Sequence, residues 1–280
     1  MRRRILDRQL HRPADVMRKG ALLLLAALGC NGSTKIKQPY DAPPVATFLA
    51  HVKAQGAKAT SYVATENTMD YWIGKERIKT TTHVMGKRTA MVRFNAINPS
   101  TGSTAADLAC DGTNFVFVDY EHDCYIEGVC DANAIASLMR VKLEPDDFLL
   151  LAVGSTPVLE GATGKVAWDG NQGRWIVDLR AGDAQQTIEL DGNDKDGKWE
   201  VVKSTVTRGG KVDWTLENKG FETVDGFRLP KSSRFAQPGQ KADLVADWGD
   251  RKINLELDPT KFAGVEIPPG TTVCPQAKKP

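Results

Sequence analysis

From residue 59 onward the chain alternates apolar and polar positions with a period of two, broken once by a stretch with the period of a helix. Val212, Trp214 and Leu216 alternate with Lys211, Asp213, Thr215 and Glu217, and Ile253, Leu255 and Leu257 alternate with Lys252, Asn254, Glu256 and Asp258. Trp175, Val177 and Leu179 share one face, and Ile188 and Leu190 another. The runs 60–70, 77–84, 88–96, 103–111, 115–118, 124–126 and 199–206 are rich in Val, Thr, Phe and Tyr, as strands are. A period of two means one dry face and one wet face, which is an antiparallel habit. About eleven such strands in succession predict a mainly β (α+β) fold, a curved antiparallel half-barrel covered by short helices.

Two segments supply the helices. Val45, Phe48, Leu49 and Val52 follow helical spacing, with Pro44 before them and Gly56 as a stop, so a helix is predicted over 45–55. The second segment is the insert 131–159. Asp131 caps a helix whose apolar positions are Ile135, Leu138 and Met139. Pro145 opens another, with Asp146 and Asp147 in its first turn, where negative charge suits the helix dipole. Phe148, Leu149, Leu150, Leu151 and Val153 then make it apolar all round, which requires burial. The insert is read as a lid across the mouth of the sheet. Ile135, Leu138, Met139, Phe148, Leu149, Leu150, Leu151 and Val153 are its candidate ligand-binding residues.

Composition adds the compartment. The chain has 280 residues, 41% of them hydrophobic and 26% charged, with a net charge of +2. That describes a globular protein and gives no reason to expect nucleic acid as a partner. Much of the positive charge lies in the first twenty residues, ahead of an apolar run at 21–28 and Gly29-Cys30. Basic, apolar and small-residue segments in that order read as an export signal over 1–29. The run is shorter than the roughly 20 residues of a membrane-spanning helix. Met17-Arg18-Lys19 would begin a compact signal alone, so residues 1–16 read as an untranslated or extended leader. Residues 30–44, with Pro39, Pro43 and Pro44, read as a tether. One domain is expected over 45–273, followed by a frayed tail at 274–280.

Four cysteines remain after Cys30, and export favours disulfides among them. They allow three pairings. In a meander, Cys110 and Cys130 fall at one end and Cys124 at the other, which favours Cys110–Cys130 and leaves Cys124–Cys274. His122, Asp123, Cys124 and Cys130 match no zinc spacing, and no metal or cofactor is expected. The chain carries no nucleophile elbow, phosphate-binding glycine loop or paired-histidine motif, and it is not read as an enzyme.

Several segments in order carry a resemblance. Leu28-Gly29-Cys30 resembles a bacterial lipoprotein box, which implies a lipid anchor on Cys30; Asn31 in place of Asp leans toward the outer membrane, facing the periplasm. LACDGTNFVF at 108–117, VGSTP at 153–157 and FAGVEIPPG at 262–270 resemble the turn into an aromatic strand, the end of the helical insert and the closing strand of the LolA/LolB-like lipoprotein-carrier superfamily. Lys87-Arg88 is similar to that family's lysine–arginine–proline step, whose arginine bonds to lid backbone; with Thr89 in place of the proline, Arg88 reads as a rim residue. The resemblance implies that acyl chains of lipoproteins, or another long apolar ligand, bind inside the half-barrel, with a periplasmic carrier protein as partner. It also implies a role in lipoprotein sorting. Each buried CH₂ contributes about 0.8 kcal/mol, so such a ligand binds without polar contacts. The competing reading is an envelope lipoprotein of structural or interaction role whose trough is filled by its own side chains.

Overall fold

A computed structural model describes residues 35–73, 75–192 and 199–275. The export signal, Cys30, the start of the tether and the end of the tail lie outside the described residues. Helix α1 (Val45–Lys58) leads into strands β1 (Ser61–Ile73), β2 (Glu76–Lys87), β3 (Met91–Ile97), β4 (Thr104–Asp111), β5 (Asn114–Asp119) and β6 (Cys124–Val129). Helices α2 (Ala132–Met139) and α3 (Pro145–Ala152) follow. The second run holds β7 (Thr163–Asp169), β8 (Arg174–Ala181), β9 (Ala184–Asp191), β10 (Glu200–Arg208), β11 (Lys211–Val224), β12 (Phe227–Gln237), β13 (Ala242–Asp247), β14 (Asp250–Ile253) and β15 (Thr272–Val273).

All fifteen strands among the described residues belong to one sheet, in the order β15-β6-β5-β4-β3-β2-β1-β13-β12-β11-β10-β9-β8-β7, with β14 also on β1. The two meanders therefore meet where β1 pairs with β13, from Thr68↔Asp247 to Ile73↔Ala242. The path does not close, and every pairing but β15 with β6 is antiparallel. This is a large, curved, open half-barrel with three helices on it, the expected fold.

Strand number exceeds the expected eleven, for identifiable reasons. β7 is a terminal strand with mostly exposed positions, so it has little apolar pattern. β12 places Ser233 and Gln237 at buried positions, where polar side chains hide the period of two. Two segments read as strands are not. The alternation at 253–257 leaves the ladder at Asn254, which adopts a left-handed conformation (φ 60). Its side chain accepts from Thr60 N at 2.8 Å and donates to the Lys58 carbonyl at 3.0 Å. The segment 262–270 opens in a short 3-10 turn, Pro259–Phe262, whose Phe262 is wholly buried, and forms no strand before β15.

Helix α1 runs through Gly56 instead of stopping there. The tether is docked from Ile36: its N–H donates to the Gly170 carbonyl at 2.7 Å, and its own carbonyl accepts from Trp168 Nε1 at 2.9 Å. Two apolar clusters fill the concave side. One lies under α1 and contains Phe48, Val52, Trp175, Val177, Ile188 and Trp199. The other lies under α2 and α3 and spans β1 to β5 and β11 to β14.

Cys110 pairs with Cys130, and Cys124 with Cys274, across sequence separations of 20 and 150 residues. Chain-entropy reasoning assigns about 3 kcal/mol to the shorter loop and about 5 kcal/mol to the longer. Chemical denaturation of Cys124→Ala/Cys274→Ala should therefore show a larger loss than Cys110→Ala/Cys130→Ala. Equal losses would mean that loop length does not set the contribution.

Candidate functional site

The lid begins at a fixed root. Cys130 is bonded covalently to β4 through Cys110, and Asp131 follows it directly. Asp131 Oδ1 accepts from Asn133 N at 2.7 Å and Ala134 N at 3.3 Å, which nucleates α2 beside the root. Arg140 ends α2 in a left-handed conformation. The far root is also held. Ser155 Oγ donates to the Val52 carbonyl of α1 at 2.9 Å, while the Gln186 side chain accepts from Leu159 N at 3.0 Å and donates to the Pro157 carbonyl at 2.7 Å.

Between the roots, polar attachment is sparse. Gln237 of β12 accepts from Lys142 N at 2.8 Å and donates to its carbonyl at 3.0 Å. Asp146 accepts from the Ala90 N–H at 2.8 Å. The remaining hold is apolar. Seven of the eight predicted ligand residues, Ile135, Leu138, Met139, Phe148, Leu149, Leu151 and Val153, are buried in the larger cluster with the sheet. Phe148 meets Phe94 edge-on with ring centroids 4.7 Å apart and reaches Trp248 at 6.2 Å. These side chains occupy the space assigned from the sequence to a hollow trough.

Leu150, the eighth, is placed apart from the other seven. It is half-buried and faces α1, not the sheet: a Cβ added at Gly56 would lie 2.3 Å from its Cδ2. Leu149 uses Gly86 of β2 in the same way, at 2.0 Å. Two glycines are thus the sockets in which α3 sits. Their missing side chains were the available sequence signal, though Gly56 reads equally as a helix stop.

Arg88 lies in the turn between β2 and β3, not in a strand as expected. Its guanidinium donates to the Gly56 and Ala59 carbonyls, at 2.5 and 3.2 Å, and so caps the C-terminal end of α1. It bonds helix backbone, as the resemblance implied, but that of α1 and not of the insert 131–159.

Sequence reasoning missed the polar residues of the concave face. Gln186 donates to Ser204 at 3.0 Å, and Trp248 Nε1 donates to Ser233, whose hydroxyl donates to Asn218 at 2.8 Å. These groups form a seam between the two apolar clusters. Cys124 and Cys130, weighed above as metal ligands, belong to different disulfides.

The first turn of α3 carries the one strong electrostatic conflict on the lid. Burial pushes the Asp147 carboxyl up from 3.8 to about 6, and the neighbouring charges of Glu144 and Asp146 add to it. Between those two values the folded protein keeps a proton that the unfolded chain has lost. The stabilisation is present at low pH and disappears as pH rises through about 6. Asp147→Asn should therefore raise Tm at pH 7.5 and leave it unchanged near pH 3.5. A difference in Tm that is the same at both values would show that Asp147 ionises like a solvated carboxylate.

No family model matches the chain, and no curated protein does. Solved structures do. A DUF1329 family protein from Desulfovibrio piger aligns with TM-score 0.54 at 13% identity, over 79% of this chain and 98% of its own. A LolA superfamily protein from Nitrosomonas europaea gives 0.52 at 10% identity, over 79% and 98%. A domain from Vibrio parahaemolyticus assigned to outer membrane lipoprotein sorting gives 0.50 at 10% identity, over 78% and 95%. The fold of this chain is LolA/LolB-like.

Proposed function

We propose that the protein is a non-enzymatic cell-envelope carrier or acceptor, which takes a lipid acyl chain or another long apolar ligand into the half-barrel as the α2–α3 lid lifts. The observation that carries this reading is the way the lid is held. Both its roots are fastened to the body, while its middle rests on one side-chain amide, one carboxylate and apolar contact. A cover needed only for stability gains from polar fastening along its length. A cover that must leave gains from apolar contacts, which an apolar ligand can replace. Magnitudes agree. Seven buried apolar side chains contribute about 1.5–3 kcal/mol each, and an acyl chain of about fifteen methylenes contributes about 12 kcal/mol. The exchange is close to balanced when part of the lid stays covered.

In this reading Cys30 carries the lipid anchor, the protein stands on the outer membrane facing the periplasm, and a periplasmic carrier delivers lipoprotein acyl chains to it. None of the described helices is long and apolar enough to cross a membrane. The filled trough favours a second reading, a structural or interaction lipoprotein whose insert is permanent core.

The two readings differ in the sign of one effect. Gln237→Ala removes both bonds to Lys142 and loosens the closed lid. For a carrier, a less stable closed state raises apparent affinity, so binding of a fluorescent fatty-acid probe should tighten by about tenfold while Tm falls. For permanent core, Tm falls and probe binding stays absent or unchanged. Mass spectrometry of gently extracted protein provides a second test: copurified lipid supports the carrier reading, and its absence supports the alternative.

A further inference from the structure

At the α2 end of the trough lies a cavity of about 290 Å³ that the closed lid does not fill. Its floor is Tyr71, Ala96, Ala106, Phe117 and Leu138, all buried members of the cluster that also holds Ile135 and Met139. A chain entering here would run directly onto the apolar face of α2. The rim is charged. Lys79 and Arg140 stand there with Asp119 and Glu121, two cations against two carboxylates. Their commitments differ. Asp119 is tied to the His122 ring at 2.9 Å and to the backbone N–H groups of Glu121 and His122. Glu121 accepts from the Asn98 amide at 2.6 Å and is otherwise exposed. The Lys79 and Arg140 side chains make no hydrogen bond or ion pair among the described residues, and neither does the Tyr71 hydroxyl. Tyr71 senses the rim: burial raises its pKa, Arg140 draws it down, and Asp119 and Glu121 push it up.

Building on the carrier reading, we propose that this mouth cavity is the head-group subsite for an amphiphile with a zwitterionic head, its phosphate toward Arg140 and Lys79 and its ammonium toward Glu121. The balance of charge decides the class. An anionic head alone would lie against two carboxylates, and a cationic head alone against two cations. A head bearing both signs finds a partner for each, with the Tyr71 hydroxyl free to donate to a phosphate oxygen. The apolar floor then directs the acyl chain under α2. The closed state thus already presents a polar landing place, and the lid has to open only for the chain.

The test is calorimetric binding of lysolipids of one chain length to the purified protein. Lysophosphatidylethanolamine should bind about tenfold more tightly than lysophosphatidic acid or the matching fatty acid. Arg140→Gln should weaken the zwitterion by a similar factor, and Glu121→Gln should erase its advantage over lysophosphatidic acid. Both side chains are exposed, so neither change threatens folding. Ala106→Trp, which fills the floor, should weaken every ligand. Equal affinity for all heads, or variants that leave the ranking unmoved, would overturn the head-group assignment while keeping the carrier reading. Failure of every amphiphile to bind would end both.

Discussion

An open sheet of this size has a constraint that a closed barrel does not: its concave apolar face must be covered by something outside the sheet. β7 and β15 end the strand order without meeting, so the inward side chains of β1 to β5 and β11 to β13 cannot bury one another. Three helices meet this need, and their positions follow from it. α1 covers the β8–β10 side, and α2 and α3, which chain order inserts between the two meanders, cover the larger side. The seam of Gln186, Ser204, Asn218 and Ser233 separates the two territories. Each buried polar group in it has a partner, so the seam need not destabilise the sheet, and it makes the clusters distinct apolar units.

Much of this was legible in the chain. Period-two alternation gave the antiparallel class, and the capping Asp131 and first-turn Pro145 located both lid helices. The cysteine pairing followed from meander geometry, since strands of known order place residues at known ends. What was not legible depends on neighbours distant in sequence. Leu150 looked equivalent to Leu149 and Leu151, because an all-apolar helix does not say which side meets the sheet. Only Gly56, nearly a hundred positions earlier in the chain, decides that Leu150 meets α1. β12 was hidden because its buried positions include Ser233 and Gln237, which serve long-range hydrogen bonds. Asn254 ended a strand through its own side chain, against an apolar alternation that continued past it. The tether looked flexible by composition, yet Tyr40 accepts from both Trp175 Nε1 and Trp199 Nε1, at 3.2 and 2.9 Å.

The two covers differ in chemistry as well as in place. Under α1, Phe48 lies between Trp175 and Trp199, with centroids 5.7 and 4.1 Å away, and Tyr40 ties both indoles together. Large rings with directional hydrogen bonds have few alternative packings. Arg88 then fixes the last turn of α1, and Ser155 ties the far root of the lid to it. Under α2 and α3, Phe148 packs edge-on against Phe94, and most of the remaining contacts from the helices are made by Ile135, Leu138, Met139, Leu149 and Leu151, aliphatic groups without polar atoms to satisfy; Met in particular adapts to irregular neighbours. A ligand that replaces such contacts leaves no donor or acceptor stranded. In the carrier reading proposed above, the half under α1 is the fixed half and the half under the insert the exchangeable one, with the seam of Gln186, Ser204, Asn218 and Ser233 as the border. Asp147 is consistent with the proposed carrier role: a partly buried carboxylate costs less on a cover that can open toward water than on one that stays closed.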